Sequence, residues 1–429
     1  MKYKPHYKTF IFEGYNFDES AGIASFSYCF DNERRFIEQV QFDVIDHYDK
    51  ATLNRALWLG FLVLGTSYYK CFPTPNVDFN ERKLSPLDVE LLDGAYHDGL
   101  SQFVFENGLT PEILPIFSAN SKDAAENYRG KGILLLQSGG KDSLLLAEML
   151  KSSGYQFETI YISSSDSYPS VINTIQDRPP RVIKRMIDRQ AVAAAIKDGG
   201  LNGHVPVTYI SYALALIDAI LHGENIVLGA VGREGAEAHE HIDDFAINHQ
   251  WSKTWEAEQL LARFVAGRIS STIRIGSPLR AYSELRIAEM FVEYCWGKYG
   301  HVFSSCNVAN YAQGQANKEL KWCGECPKCA NSFLLFAPFI EPAELTSLFD
   351  GKNLIKDLNL ADTFKGLLGI DNVMKPFECV GETRELRLAY HMARDRYGAD
   401  VYSLPFDVAV SDFDYRALGP RQDGLIPLM

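Results

Sequence analysis

The chain has 429 residues and a formal net charge of −13, with 46% hydrophobic, 12% aromatic and 23% charged residues. This length predicts two or three domains, and the composition excludes a disordered or fibrous protein. The acidic balance disfavours nucleic-acid partners, which need clustered Lys and Arg, so we expect small-molecule partners and no nucleic acid.

Residues 1–126 are predicted to form an α+β domain. Alternating apolar and polar side chains within 8–45 favour antiparallel strands with one solvent-exposed face. Apolar residues recur with helical spacing in 50–64 and again in 88–106, so we expect a helix in each segment. Gly65 is expected to end the first of these helices.

Residues 127–300 are predicted to form an α/β domain with a doubly wound parallel sheet. Continuous apolar segments are typical of strands that are covered on both faces, and strands that alternate with helices predict βαβ units. The predicted strands are 132–136, 157–162, 205–211 and 225–229, and the predicted helices are 143–152, 182–197 and 212–221. Residues 301–429 are expected to form a zinc-binding and helical carboxy-terminal region.

The turn after the first strand of the predicted α/β domain has the composition of a phosphate-binding loop. It reads Ser138-Gly139-Gly140-Lys141-Asp142-Ser143. Paired glycines let backbone N–H groups approach an anion, and the following helix directs its positive end toward that anion. The hydroxyls and Lys141 add donors, while Asp142 suits an Mg²⁺ ion between its carboxylate and a phosphate. A Walker A loop is excluded, because it requires Gly where this chain has Leu135 and Ser or Thr where it has Asp142.

The loop resembles that of the PP-loop ATP pyrophosphatases at every position of Ser-Gly-Gly-Lys-Asp-Ser. The resemblance implies that ATP is cleaved between its α and β phosphates, while the loop holds the pyrophosphate and the adenylyl group passes to a substrate oxygen. It also implies that Ser163, Ser164 and Asp166, which follow the second strand of this domain, lie near the nucleotide, at the carboxyl edge of the sheet. A glycine-rich turn without a ligand is the alternative.

Four cysteines form a second motif. Cys323, Cys326 and Cys329 follow a C-x₂-C-x₂-C pattern, and Cys306 lies seventeen residues before the first of them. Four thiolates are typical of a closed, structural Zn²⁺ site. An iron–sulfur cluster is the alternative, but the position of the next ferredoxin-type cysteine is occupied by Phe333.

The same cysteines bear on localisation, because metal-site spacing favours a reducing compartment over one in which disulfides form. The amino-terminal segment is basic, but no apolar segment of the signal-peptide type follows it. The apolar segment 56–64 is far shorter than the roughly 20 residues of a membrane-spanning helix. We therefore expect a cytoplasmic protein without membrane insertion, and the oligomeric state stays unknown.

Five segments along the chain resemble the UDP-N-acetylmuramoyl-L-alanyl-L-glutamate epimerases, which act on a bacterial cell-wall precursor. They are 65–70, 138–143, 248–253, 322–329 and 375–382. The resemblance implies that the terminal L-glutamate of a UDP-muramoyl dipeptide is inverted to D-glutamate, with ATP and Mg²⁺. An acyl-adenylate would remove the carboxylate charge that opposes loss of the α-proton, so that a general base and an acid can act on opposite faces. The alternatives are a 7-cyano-7-deazaguanine synthase-like ligase and a zinc-stabilised nucleotide-binding protein without turnover.

One thiol and three imidazoles are candidates for proton transfer. Cys379 can act as a proton carrier, or it can be a small buried hydrophobic residue. His239 and His241 lie in the polar segment 229–244, which favours an active-site loop over a solvated one, and His249 is placed similarly. The predicted catalytic residues are Lys141, Asp142, His239, His241, His249 and Cys379.

Arginines flank the segment 276–279, and the resemblance to the PP-loop enzymes places this segment beside the nucleotide phosphates. Arg280 is therefore predicted to contact the nucleotide, and salt bridges on a helix surface are the alternative. Tyr68, Tyr69 and Lys70 are candidate substrate contacts, with ordinary packing of the tyrosine pair as the alternative.

Overall fold

A computed structural model describes residues 4–43, 47–311 and 318–426. In these ranges the chain forms eleven β-strands and sixteen α-helices. The strands are β1 Phe10–Asp18, β2 Ile23–Phe30, β3 Arg34–Gln41, β4 Val77–Asp78, β5 Ile133–Leu136, β6 Glu158–Ser163, β7 Arg181–Met186, β8 Ile226–Leu228, β9 Glu240–Ile242, β10 Phe245–Ile247 and β11 Arg274–Gly276. The helices are α1 Lys50–Leu64, α2 Thr66–Tyr69, α3 Pro86–Tyr96, α4 Ser101–Glu106, α5 Lys141–Ser152, α6 Asn173–Gln176, α7 Arg189–Lys197, α8 Val207–His222, α9 Trp255–Phe264, α10 Glu284–Tyr294, α11 Trp296–Tyr299, α12 Asn307–Tyr311, α13 Pro327–Phe336, α14 Pro342–Ser347, α15 Ala361–Leu368 and α16 Thr383–Tyr397.

Nine of these strands form one sheet in the order β11-β8-β5-β6-β7-β3-β2-β1-β4. The five strands from β11 to β7 are parallel to one another. The chain runs outward from β5 through β6 to β7 and then crosses to β8 and β11 on the other side, which makes this half doubly wound. The predicted α/β fold class with a large, mostly parallel sheet is therefore confirmed.

The amino-terminal strands extend the same sheet. β1, β2 and β3 form an antiparallel meander, as predicted, and β3 pairs with β7 from Gln39 opposite Met186 to Gln41 opposite Lys184. Sheet hydrogen bonds thus cross the predicted boundary at residue 126. The division into 1–126, 127–300 and 301–429 stays a prediction.

Two hydrophobic cores lie on opposite faces of the sheet, because alternate side chains of a strand point to opposite sides. Leu134 of β5 packs with α1 and α8 in the first core, whereas Ile133 and Leu135 pack with α5, α10 and α13 in the second. α1 begins as predicted, where the Asp49 carboxylate accepts a hydrogen bond from the Thr52 amide at 2.9 Å. The predicted strands 132–136, 157–162 and 225–229 are confirmed as β5, β6 and β8, and the helix predicted at 143–152 is α5.

Two predicted elements are wrong. The β-branched and aromatic side chains of residues 205–211 predict a strand, but these residues lead into α8, whose apolar residues continue for four turns and pack against α1. The expected helix 182–197 is divided into strand β7 and helix α7. Within β7, Arg185 is paired with the buried Glu38 carboxylate of β3 at 2.5 Å, a partner too distant in the chain for a local pattern to show.

The helix predicted at 88–106 is interrupted. A 3₁₀ turn at Asp98–Leu100 separates α3 from α4. Within the described ranges, no helix combines the length and hydrophobicity needed to cross a bilayer.

Candidate functional site

A cleft of about 460 Å³ opens at the carboxyl ends of β5, β6 and β8. At this edge β5 lies between β6, which follows it in the chain, and β8, which the chain reaches only after β7. Open α/β sheets bind ligands at such a reversal of strand order. The cleft's volume lies within the range of small-molecule sites. Residues from the sheet, from the phosphate loop and from the carboxy-terminal region line it.

The predicted phosphate loop forms one wall of the cleft. Ser138 and Ser143 hold the turn together, because the Ser138 amide donates to the Ser143 hydroxyl at 3.3 Å and the Gly140 amide donates to the Ser138 hydroxyl at 3.3 Å. Gly139 has φ +78°, and a Cβ there would lie 2.8 Å from the side chain of Leu320. No side chain caps α5, so the N–H groups of its first turn are left for a ligand.

The side chains of Lys141 and Asp142, at the start of α5, lie in different surroundings. The Lys141 ammonium is buried beneath the loop, 2.6 Å from a carboxylate oxygen of Glu284 and 2.7 Å from one of Asp142. Burial alone would lower the pKa of Lys141, but the Asp142 and Glu284 carboxylates outweigh it and raise the pKa. Asp142 lines the cleft, whereas Lys141 lies behind the cleft wall.

A second ion pair lies at the cleft. Lys253 lines the cleft, and its ammonium is 3.1 Å from a carboxylate oxygen of Glu234. Arg280 is only 2% exposed and pairs with Glu258 at 2.7 Å, while it donates to the backbone oxygens of Gly232 and Lys253 at 2.6 and 2.8 Å. Arg280 therefore fixes the loop that carries Lys253 and does not itself reach the cleft wall.

Cys379 meets His249 at the cleft. The Cys379 Sγ and the His249 Nε2 are 3.7 Å apart, although 130 residues separate them in the chain. The other ring nitrogen of His249 is 2.7 Å from the side-chain oxygen of Gln102. Burial lowers the pKa of His249 to about 4, so the imidazole is neutral at physiological pH. Two predicted catalytic residues are thus brought together.

The segment 375–383, which carries Cys379, is anchored to the loop after β8. Glu237 accepts a hydrogen bond from the Lys375 ammonium at 2.7 Å and from the amide and hydroxyl of Thr383 at 2.9 and 2.7 Å. The Gln250 amide group adds a bond to the backbone oxygen of Val380 at 2.9 Å. Gln250, the residue after His249, therefore helps to position Cys379.

The other predicted histidines occupy different places. His239 is 8% exposed and stacks on Phe377 with ring centroids 5.2 Å apart, and burial lowers its pKa to about 3. Its ring nitrogens have no hydrogen-bond partner of normal geometry among the described residues. His241 lies on the exposed hairpin of β9 and β10, so the structure does not bring it to the cleft.

Three predicted nucleotide contacts lie beside the cleft rather than on its wall. Ser163 ends β6 and is buried, whereas Ser164 is exposed. The Asp166 side chain is 83% exposed and lies 2.9 Å from the Lys184 ammonium. Ile160, Tyr161 and Ile162 of β6 are the residues that line the cleft there.

The four cysteines come together as predicted. All four sulfur atoms lie within 4.8 Å of one another, with Sγ–Sγ distances of 3.7 Å for Cys306–Cys326, 3.7 Å for Cys323–Cys329 and 3.6 Å for Cys326–Cys329. A tetrahedral ion with Zn–S bonds of roughly 2.3 Å requires sulfur atoms about 3.8 Å apart. This spacing fits a single zinc ion and leaves no room for a cluster of several iron and sulfide ions.

Residues next to the cysteines line the cleft, although no sequence pattern singled them out. Ser304 and Ser305 precede Cys306, and Asn307 follows it, while Lys328 precedes Cys329. The Lys328 ammonium is 3.5 Å from the Asn307 side-chain oxygen. A metal bound by the cysteines would therefore hold one wall of the cleft.

Comparisons with known proteins cover most of the chain. The description "MurL N-terminal domain" belongs to a family model that matches residues 1–277, and "MurL C-terminal domain" to one that matches residues 302–402. Three relatives are each named UDP-N-acetyl-alpha-D-muramoyl-L-alanyl-L-glutamate epimerase. The one from Xanthomonas oryzae pv. oryzae (strain MAFF 311018) is 30% identical over 404 residues, which cover 92% of this chain and 87% of the relative.

The other two relatives match the chain to a similar extent. That from Salinispora tropica is 33% identical over 401 residues, covering 91% of this chain and 85% of the relative. That from Micromonospora sp. (strain ATCC 39149) is 32% identical over 399 residues, covering 90% of this chain and 87% of the relative. These matches confirm the resemblance to the epimerases. The chain belongs to the UDP-N-acetyl-α-D-muramoyl-L-alanyl-L-glutamate epimerase family and is an enzyme of the isomerase class.

Proposed function

We propose that this enzyme uses ATP to convert the terminal L-glutamate of a UDP-muramoyl dipeptide to an acyl-adenylate, with release of pyrophosphate, and then inverts the α-carbon. Hydrolysis of the adenylate by water would release AMP and the D-glutamyl product. The reaction would serve peptidoglycan precursor synthesis. One observation carries the proposal: the phosphate loop and Cys379 line the same cleft. A nucleotide bound at the loop and a proton carrier would therefore face a common substrate.

The phosphate loop is proposed to bind ATP. The free N–H groups at the start of α5 and the hydroxyls of Ser138 and Ser143 offer donors to phosphate oxygens. Asp142 would hold Mg²⁺, which would neutralise phosphate charge. The Lys141 ammonium lies 2.7 Å from the Asp142 carboxylate and holds that side chain in place.

Adenylation has a physical purpose in an inversion at carbon. The α-proton of a free glutamate is hard to remove because the carbanion would form beside an ionised carboxylate. An acyl-adenylate has no such charge, and its carbonyl withdraws electrons from the α-carbon. Each pKa unit by which the α-proton becomes more acidic is worth about 1.4 kcal/mol.

Cys379 and His249 are proposed to move the α-proton. The His249 Nε2 atom faces the Cys379 thiol, and transfer of the thiol proton to it would give a thiolate that acts on the α-carbon as a general base. Lys253, which also lines the cleft, carries a positive charge that would stabilise negative charge developing on the substrate. The three side chains thus provide a base and an electrostatic partner in one place.

The direct test is incubation with ATP, Mg²⁺ and the UDP-muramoyl-L-Ala-L-Glu dipeptide, followed by chiral analysis of glutamate and separation of the nucleotides. We expect D-glutamate together with AMP and pyrophosphate. ADP in place of AMP, or glutamate that stays entirely in the L form, would refute the proposal.

A matched pair of variants assigns the activity to the loop. Asp142→Asn removes the proposed Mg²⁺ ligand and is expected to abolish AMP formation while the protein stays folded. Asp362→Asn makes the same change in the first turn of α15, at an exposed position, and is expected to keep full activity. Equal rates in the two variants would contradict the role of Asp142.

A further inference from the structure

We propose that Gln102 and Glu106, both on α4 of the amino-terminal region, are positioning residues that fix the tautomer of His249. In this tautomer the Nδ1 atom carries the proton and the Nε2 atom presents its lone pair to Cys379. The inference rests on the proposed function, because it specifies how the Cys379–His249 pair is prepared for proton transfer.

The hydrogen bonds define a direction from α4 to the thiol. The Glu106 carboxylate can only accept, and it lies 2.9 Å from the Gln102 Nε2 atom, so the Gln102 amino group must point toward it. The Gln102 Oε1 atom then faces the His249 Nδ1 atom at 2.7 Å. Because this oxygen accepts, His249 must donate from Nδ1, which leaves Nε2 unprotonated toward the Cys379 Sγ at 3.7 Å.

Hydrogen bonds between α4 and the loop that carries His249 hold Gln102 and His249 in place. Gln102 is 6% exposed, and the residue before it, Ser101, accepts a hydrogen bond from the Asn248 amide at 3.0 Å through its hydroxyl. Two successive residues of α4 therefore contact two successive residues of the loop that carries His249. Gln102 and Glu106 lie four positions apart, on one face of the helix.

An amide is sufficient to orient the ring at this position. A carboxylate there would accept from Nδ1 in the same way and would also stabilise the charged imidazole, whereas the amide adds no charge. The Nε2 lone pair of His249 thus stays directed at the thiol. In the opposite tautomer an N–H group would face the thiol, and no proton could move from Cys379 to His249.

Two half-reactions separate this role from nucleotide binding. Substrate-dependent exchange of labelled pyrophosphate into ATP reports adenylation, and uptake of solvent deuterium at the glutamate α-carbon reports proton transfer. Gln102→Leu keeps the side-chain size but removes the acceptor. We expect it to slow deuterium uptake about 10- to 100-fold, the usual effect of losing an orienting partner, with pyrophosphate exchange unchanged.

A double variant that exchanges the side chains at positions 102 and 106 tests whether Gln102 positions His249 or has only a general structural role. In the double variant Gln102→Glu with Glu106→Gln, the carboxylate introduced at position 102 accepts from both the amide introduced at position 106 and the His249 Nδ1–H. The tautomer is therefore kept without a change in net charge, and we expect this variant to recover deuterium uptake at least tenfold relative to Gln102→Leu.

Asn107→Ala is the control and should behave as wild type. Asn107 lies at the end of the same helix, but its side chain is bonded to the backbone of Phe103 and Asn202.

The outcomes are distinct. Wild-type deuterium uptake in a folded Gln102→Leu variant, or a loss that the exchanged pair does not restore, would overturn the positioning role. Absence of pyrophosphate exchange in the wild-type enzyme would instead refute the proposed adenylation, whatever the behaviour of Gln102.

Discussion

Neighbouring residues in the chain take different places at the cleft, and distant ones meet. Lys141 is buried against Glu284 while Asp142 lines the cleft, so adjacent positions of one motif have different surroundings. Cys379 and His249 come from the carboxy-terminal region and from the loop before α9, yet their side chains meet. The proposed chemistry depends on both kinds of placement.

The thiol is the residue whose loss should separate adenylation from inversion. Cys379→Ala is expected to reduce deuterium uptake and D-glutamate formation by about 10²- to 10⁴-fold, the range of general acid–base contributions. Pyrophosphate exchange should persist, because the loop is unchanged. Cys29→Ala, a thiol on β2 outside the cleft, is the control. Equal inversion rates in the two variants would rule out a role of Cys379 in proton transfer.

The buried Lys141 should matter for stability as well as for activity. Lys141→Met leaves the Glu284 carboxylate buried without its nearest cation, and removal of one partner from such a pair lowers the free energy of unfolding by about 3–5 kcal/mol. The double variant with Glu284→Gln should recover part of this loss. Urea denaturation of the three proteins measures both effects, and an unchanged midpoint in Lys141→Met would show that the pair is not stabilising.

Local patterns predicted the elements and motifs whose residues are adjacent in the chain. The phosphate loop lies between an apolar strand and the start of a helix. Three of the four clustered cysteines lie within seven residues of one another in the chain. Strand β7 and the start of α8 were missed because long-range partners outweigh local preference there: Glu38 neutralises Arg185, and α1 covers α8. Gln102 gave no signal, because its partner His249 lies 147 residues away.

The four clustered cysteines lie outside the sheet, and residues next to them line the cleft. We expect one zinc ion per chain by elemental analysis, and we expect Cys306→Ser to lower both the zinc content and the affinity for ATP. The reason is that Ser305 and Asn307 flank this ligand and line the cleft. Ser347→Ala, an exposed position at the end of α14, is the control. A zinc-free Cys306→Ser protein with unchanged ATP affinity would show that the metal does not support the cleft.

Two of the three predicted regions line the cleft, and the amino-terminal region supports it through α4. α4 contributes the partner of His249, the parallel half of the sheet contributes the phosphate loop, and the carboxy-terminal region contributes the cysteine cluster and Cys379. The antiparallel strands of the amino-terminal region continue the parallel sheet and share a core with it. The amino-terminal region is thus integral to the sheet and to the site.

Buried neutral histidines should make the fold sensitive to acid. Burial lowers the pKa of His204 and His239 to about 3 and that of His249 to about 4, whereas an unfolded chain has histidines near about 6.5. Between these values the unfolded state binds more protons, so the free energy of unfolding falls as the pH drops below the unfolded pKa and levels off below the folded pKa. Each histidine contributes a slope of up to about 1.4 kcal/mol per pH unit.

Urea denaturation between pH 4 and pH 7 measures this slope. His239→Phe keeps a ring against Phe377 and should reduce the slope by the share of one histidine. The exposed His241→Asn is the control. An equal reduction in both variants would show that burial of His239 is not the cause.

The most direct measurement follows a complete turnover in deuterium oxide. The enzyme is incubated there with ATP, Mg²⁺ and the UDP-muramoyl-L-Ala-L-Glu dipeptide, and mass spectrometry of the separated glutamate enantiomers is combined with quantification of AMP. The shared cleft predicts D-glutamate that carries deuterium at its α-carbon and AMP formed in step with it. D-Glutamate that keeps its original α-hydrogen, or inversion without AMP, would contradict the joint action of the phosphate loop and Cys379.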